Sequence, residues 1–325
     1  MEGFPIFISM RIEEHMQHFS SFLLHYPKLA LSLLCFGKSC FILNVAFYTV
    51  IRNFDETMLV RAQACSAEPI ILHAKSDAQQ VYFHTTGYEF GRYANNMQCS
   101  WVLMGSNSSK RIMLTIHDSH IDDALFSKCD DYCSVHDGDT SKSPEVARWC
   151  GDKHPDEITS TADSLFVHFH SDEAFQGRGI NMSFIEFDTP GCPPGWTSSS
   201  VSHCYVLKRP KHGLTWFEAQ KECSLVRSNL LTLASNNEYS FVAASYTKSK
   251  ILPWTGYIDH SSEGKFIPVD PNSGPWPEDL PKLAQNPPGQ QCVYMDWSSR
   301  KRNILAVDDC RNRHEYICKR RRGNV

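Results

Sequence analysis

The sequence predicts a disulfide-rich extracellular chain of more than one module, strand-rich in its middle and α+β in its C-terminal third. Three observations predict it. Thirteen cysteines in 325 residues, most of them after residue 64, accompany two Asn-x-Ser sequons at Asn107 and Asn181, a pattern of the oxidising secretory route. Apolar residues alternate at Ile112, Leu114, Ile116 and again at Leu165, Val167, Phe169, the period of strands with one face buried. From Leu214 to Val226, Trp216, Ala219/Gln220 and Cys223 fall on one helical face, and Ser235-Asn236-Asn237-Glu238 is a capping box that opens a second helix.

Residues 1–64 differ from the rest. Leu29–Ile51 is apolar apart from Lys38 and is long enough to span a bilayer. It is expected to be a signal sequence or a signal anchor, although a lysine near its middle costs roughly 2.5–3.5 kcal/mol on insertion. A structural role inside a soluble domain is the weakest of the three readings. Ala62-Gln63-Ala64 has the look of a signal-peptidase site, but it lies far beyond the apolar run. Cys35 and Cys40, inside the run, are expected to be unpaired. A membrane would then be met only through this N-terminal anchor, with the rest of the chain extracellular, either secreted or in type II orientation.

Residues 65–188 form the strand-rich module. Tyr93-Ala94-Asn95-Asn96-Met97-Gln98-Cys99-Ser100-Trp101, Val135-His136-Asp137-Gly138, Trp149-Cys150-Gly151 and Ser164–Asp172 with Gly179-Ile180 and Phe184 resemble a CUB domain. The resemblance implies an antiparallel β-sandwich stapled by Cys65–Cys99 and by Cys150 with either Cys129 or Cys133. Cys129 is the favoured partner, which leaves Cys133 as a free thiol, an intermolecular bridge or a small buried hydrophobe. The family commonly binds calcium through acidic loop residues at one end of the sandwich. Carried over residue by residue, that set falls at Asp122, Asp131 and Asp172, whose hard oxygens suit Ca²⁺. Asp122 is one carbon shorter than the usual glutamate, and Asp123 is an alternative. No other cofactor is implied.

Residues 189–191 are a short linker, implying limited freedom between the modules. Residues 192–320 open Cys-Pro-Pro-Gly-Trp directly after Gly191, continue through Leu-Thr-Trp-Phe-Glu-Ala-Gln-Lys-Glu-Cys and close on Tyr316-Ile317-Cys318. This stretch is similar to a long-form C-type lectin-like domain: two helices, small mixed sheets and a long loop, here Pro268–Pro288. Six cysteines allow fifteen pairings. The family's pattern implies Cys192–Cys204, Cys223–Cys318 and Cys292–Cys310. Leu230, Leu231 and Leu233 read as a short buried strand, and Trp254-Thr255-Gly256-Tyr257 stands where the family has a core strand. The family's sugar-binding members hold calcium with a Glu-Pro-Asn or Gln-Pro-Asp triplet and a Trp-Asn-Asp triplet. The corresponding stretches here are Gln285-Asn286-Pro287-Pro288 and Leu305–Asp309, and both depart from the pattern. The tail 321–325 is basic, and Lys319-Arg320-Arg321-Arg322 reads as a solvated run.

The function classes narrow accordingly. A net charge of −4 and no basic-aromatic stripe argue against nucleic acid as a partner. No His-Glu-x-x-His, Gly-x-Ser-x-Gly or phosphate loop is present, so the chain is expected not to be an enzyme. His168 and His170, alternating with Leu165, Val167 and Phe169, read as surface histidines. The resemblance implies an extracellular recognition protein with a protein or glycan ligand, of the kind linked with innate defence or cell-surface recognition. The alternative is a calcium-dependent carbohydrate-binding lectin.

Overall fold

The computed structural model describes residues 65, 68–75, 79–123, 128–199, 202–246, 251–261, 264–280, 283, 291–297 and 304–322, together with two short paired strands, Cys35–Phe36 and Ser39–Cys40. The chain divides into two units, Met1–Met58 and Leu59–Val325. The rest of the apolar run 29–51, the Ala62–Ala64 motif and Gln285–Pro288 lie outside the described residues. Among the described residues no helix is long and apolar enough to cross a membrane.

The first module is two sheets packed face to face. One has the order β1 (Ile70–His73), β3 (Gln98–Met104), β8 (Ser164–His170), β5 (Tyr132–His136) and β6 (Glu145–Trp149). The other runs β2 (Val81–His84), β9 (Gly179–Asp188), β4 (Lys110–His120) and β7 (Glu157–Thr159). All pairs are antiparallel except β1 with β3, which run parallel with Ile70 opposite Trp101. Ile112, Leu114 and Ile116 from one sheet and Leu165, Val167 and Phe169 from the other fill the space between them, all nearly inaccessible. Cys65–Cys99 and Cys129–Cys150 staple the sandwich; Cys133 is free and buried in that core.

The alternation is broken where the outer faces are also covered. Met113, Ile185 and Phe187 bury a second small cluster on the outside of the four-stranded sheet. On the outside of the five-stranded sheet, Phe166 is buried and stacks on His168. His168 is therefore not the open-surface residue expected from alternation. It is half-buried, bonded to Ser100 Oγ at 2.9 Å, and burial first, then the nearby His170, lowers its pKa.

The second module is built on a sheet ordered β10 (Thr197–Ser198), β11 (His203–Lys208), β17 (Tyr316–Arg321), β13 (Trp254–Ile258), β15 (Cys292–Asp296) and β16 (Ile304–Asp308). Two short strands attach to it: β12 (Asn229–Leu230) on β17 and β14 (Ile267–Pro268) on β13. Helix α1 (Trp216–Leu225) buries Trp216, Ala219 and Cys223. Its start is a full capping box, with Thr215 and Glu218 each bonding the other's backbone N–H. Helix α2 (Asn236–Tyr246) has half of the expected box. Ser235 Oγ accepts from Glu238 N, but the Glu238 carboxylate takes the N–H of Ala234 instead of that of Ser235. Gly256 lets β13 pass close to β12: a Cβ there would lie 2.5 Å from the Leu230 carbonyl oxygen. Cys192–Cys204, Cys223–Cys318 and Cys292–Cys310 close the module.

The C-terminal basic run corrects the sequence reading. Lys319 and Arg320 are inside β17 and are buried. Lys319 pairs with Glu238 at 2.6 Å and donates to the Thr232 carbonyl, and Tyr205 also donates to Glu238. Arg320 lies over the Phe187 ring of the first module and donates to the Val226 carbonyl. Charge alone suggested solvation, because the strand's partners are distant in sequence.

The two modules touch over more than the linker. Thr189 is tied to the Ser109 carbonyl by both its N–H and its hydroxyl. Lys208 pairs with Glu157 at 2.7 Å, and Leu225 of α1 packs against the core of the first module.

Candidate functional site

The acidic end of the sandwich is organised around Tyr93. The loop Ala94–Met97 is bonded to Ser171 and Asp172 through backbone and Ser171 Oγ, which fixes Tyr93 just ahead of β3. Its ring is buried edge-on against Phe169, at 5.0 Å. The hydroxyl donates to Asp131 Oδ2 at 2.6 Å and accepts from Asp122 N at 3.0 Å. Burial, then the bond to Asp131, pushes its pKa far up, so it stays a donor.

Three aspartates lie at neighbouring strand ends here, Asp122 after β4, Asp131 before β5 and Asp172 after β8, with Asp122 and Asp172 tied in through their backbone N–H groups. Asp131 is the hub and is essentially inaccessible. Its other oxygen accepts from Asp172 N at 2.7 Å. Burial raises the Asp131 pKa, the bonds from Tyr93 and Asp172 N oppose that rise, and the charges of Asp172 and Asp122 add to it. Asp172 itself accepts from Ala174 N. The donor set is all hard oxygen and suits Ca²⁺. Yet both Asp131 oxygens already accept protein hydrogen bonds, and among the described residues no three acidic, His or Cys side chains converge to hold a metal ion. Any calcium bound here would use the second lone pairs of Asp131 together with Asp122 and Asp172.

The second module offers its acids beside Cys310, and there the arrangement is different. Asp308 bonds His314 Nε2 at 2.8 Å and accepts from the Asn312 amide and from Asp309 N. His314 is buried between Trp254 and Tyr294. Asp309 takes a two-pronged bond from Arg311, which holds its carboxyl at about 2. Each acid already has a protein partner of opposite or donor character.

The two sequon asparagines are in contrasting places. Asn107 is exposed in the turn before β4, its amide oxygen accepting from Ser109 N and Oγ. Asn181 is half-buried within β9, between β2 and β4.

Sequence reading missed the contacts between modules. Arg227, at the end of α1, has φ 54° and reaches across to the Thr159 carbonyl and to Asp137. Glu222 is pushed up to about 7 by burial and accepts from Asp156 N. No local pattern announces such pairs.

Comparison with known families places a CUB domain at residues 65–184 and a Lectin C-type domain at residues 212–320. The chain is 30% identical to neuropilin-1 of Xenopus laevis over 133 residues, which is 40% of this chain and 14% of that protein. It is 30% identical to tolloid-like protein 1 of Mus musculus over 122 residues, 37% of this chain and 12% of that protein. The chain thus spans only a small part of these relatives. Among solved structures, the C-type lectin domain of murine dendritic cell inhibitory receptor 2 in complex with N-glycan is similar to 40% of this chain over 99% of its own length, at 19% identity and a TM-score of 0.36.

Proposed function

We propose that this chain, which carries a CUB domain followed by a C-type lectin domain, acts by binding and not by catalysis, and that its lectin domain does not hold sugar through the family's usual calcium site. Domains of these two kinds belong to extracellular recognition and binding proteins. The finer reading rests on one observation: Asp308 and Asp309, the acids nearest the usual site, are engaged by His314, Asn312 and Arg311. A carboxylate already neutralised by a bidentate guanidinium is a poor calcium ligand, because the cation must displace a charge-assisted pair.

Calcium, in this reading, acts at the CUB end. Asp122, Asp131 and Asp172 would hold it, offsetting the burial, and the lesser repulsion from Asp172 and Asp122, that raise the Asp131 pKa. Recognition of a protein or glycan then falls to other surfaces of the two docked domains, in a role such as cell-surface recognition or innate defence.

A glycan array probed with the full chain, with calcium and with EGTA, tests this. Binding that is absent or EGTA-insensitive supports the reading. Sugar binding abolished by EGTA and by Asp308→Asn with Asp309→Asn would make the chain a calcium-dependent lectin instead.

A further inference from the structure

The two domains enclose a cleft of about 650 Å³. Its CUB wall is β6 and the turn Asp152–Asp156; its lectin wall is Pro210–Leu214 and the exposed side of α1. Two independent features meet there.

First, β6 is the terminal strand of its sheet and pairs only with β5. Beyond that ladder, no backbone group of residues 145–149 makes a hydrogen bond among the described residues. An unpaired edge is a template for an added strand.

Second, the charges lining the cleft are unevenly matched. Lys153 on the CUB side and Lys211 and Lys221 on the lectin side are exposed and make no ion pair within 4.0 Å among the described residues, Lys153 and Lys221 acting only at longer range on Glu218 and Glu222. The acids are mostly engaged: Glu145 by Arg148, Glu218 by the α1 cap and Arg313, Asp152 by His120. Glu222 accepts from Asp156 N, and burial brings its pKa to about 7, so it is only partly charged at neutral pH. Asp156 is the remaining opposing charge.

We propose that this cleft takes an acidic, extended peptide segment of a partner protein, added as a strand to the free edge of β6 and held by Lys153, Lys211 and Lys221. A five-residue strand spans roughly 17 Å. Lysine ammonium groups on flexible stems suit side-chain carboxylates projecting from such a strand without demanding one geometry. Both domains contribute, so the site exists only while they are docked. The inference rests on the recognition reading and gives it a partner class.

The experiment uses the full chain to select from a displayed library of random nine-residue peptides. The proposal expects an Asp- and Glu-enriched pool. Affinity of the best synthetic peptide should fall about ten-fold in the K153Q/K211Q/K221Q variant, the sum of three exposed charge contacts. It should also weaken with added salt and be lost when alternate peptide nitrogens are methylated, which blocks strand addition and leaves the charge. All three lysines are exposed, so the variant should keep the wild-type melting temperature. A pool without acidic enrichment overturns the proposal, as does unchanged affinity for the triple variant or for the methylated peptide. A size-defined heparin oligosaccharide runs alongside: if it alone binds, and depends on these lysines, the cleft takes a glycan and the proposal fails. Failure with every probe here, together with ligand binding on the glycan array, would remove the cleft inference and leave the recognition reading standing.

Discussion

Arg227 of the lectin domain holds Asp137 of the CUB domain at 2.5 Å, across 90 residues of chain. Asp137 lies just after β5 with its side chain 8% exposed and also accepts from Thr161 N and Oγ. Arg227 stands where α1 ends, so the pair fixes the first lectin helix to the sandwich.

Replacing Arg227 with Ala should therefore act on the docking of the domains more than on either core. It leaves the largely covered Asp137 carboxylate with fewer donors, at a cost of about 1–3 kcal/mol. Calorimetry should show one unfolding transition in the wild type and two in the variant. A single transition at the wild-type temperature in the variant would show that the pair does not couple the domains.

Glu238→Gln should be among the most damaging substitutions in the lectin domain. Burial acts to raise the Glu238 pKa, but Lys319 and the donors around it outweigh that and hold it below the ordinary glutamate value. The substitution leaves the Lys319 ammonium buried without its counter-charge, at about 3–5 kcal/mol. The sign in the wild type follows from the depressed pKa: this contribution is present above the unfolded-state glutamate pKa and is lost as pH falls through the lower folded value. Denaturant titration of both proteins from neutral pH downward checks it; the two stabilities should converge at low pH.

Glu222 works in the opposite sense. Its folded pKa, raised to about 7 by burial, exceeds the unfolded value near 4.5. The folded state binds the proton more tightly, so stability falls as pH rises between those values. Glu222→Gln keeps the shape and removes the titration. It should be more stable than wild type by about 1–3 kcal/mol at pH 8 and nearly equal at pH 4. A variant whose stability parallels wild type across that range would contradict the burial of this carboxyl against the CUB domain.

These three predictions also mark the limit of what the sequence made legible. Helix α1 was readable because Trp216, Ala219 and Cys223 recur at helical spacing, and β4 and β8 because apolar residues alternate. The paired cysteines followed from family resemblance, not from spacing. Lys319 and Arg320 were misread because a run of cations looks solvated until Glu238 and Phe187 are folded against it. The acids at the CUB end were locatable as residues, but the Tyr93 hydroxyl that joins Asp131 to Asp122 depends on a loop clamp that no local pattern encodes. Arg227, Asp137 and Glu222 carry meaning only once the two domains are docked.

The glycosylation sites should behave unequally. Asn107 is exposed in a turn with its sequon hydroxyl already against the amide, whereas Asn181 is half-buried within a strand. In protein secreted from eukaryotic cells, mass spectrometry should find Asn107 occupied to a greater extent than Asn181. Full occupancy of Asn181 with Asn107 bare would reverse the reading of these two surfaces.

The central claim, that calcium acts at the CUB end and not at the lectin loops, is tested most directly by the melting temperature of the full chain in millimolar Ca²⁺ against EGTA. Wild type should melt higher in calcium, as native-state binding requires. Asp131→Asn, which keeps the side-chain shape, should abolish the shift, while Asp308→Asn with Asp309→Asn should retain it. A calcium shift that survives Asp131→Asn and disappears in the Asp308/Asp309 variant would place the cation in the lectin domain and contradict the account.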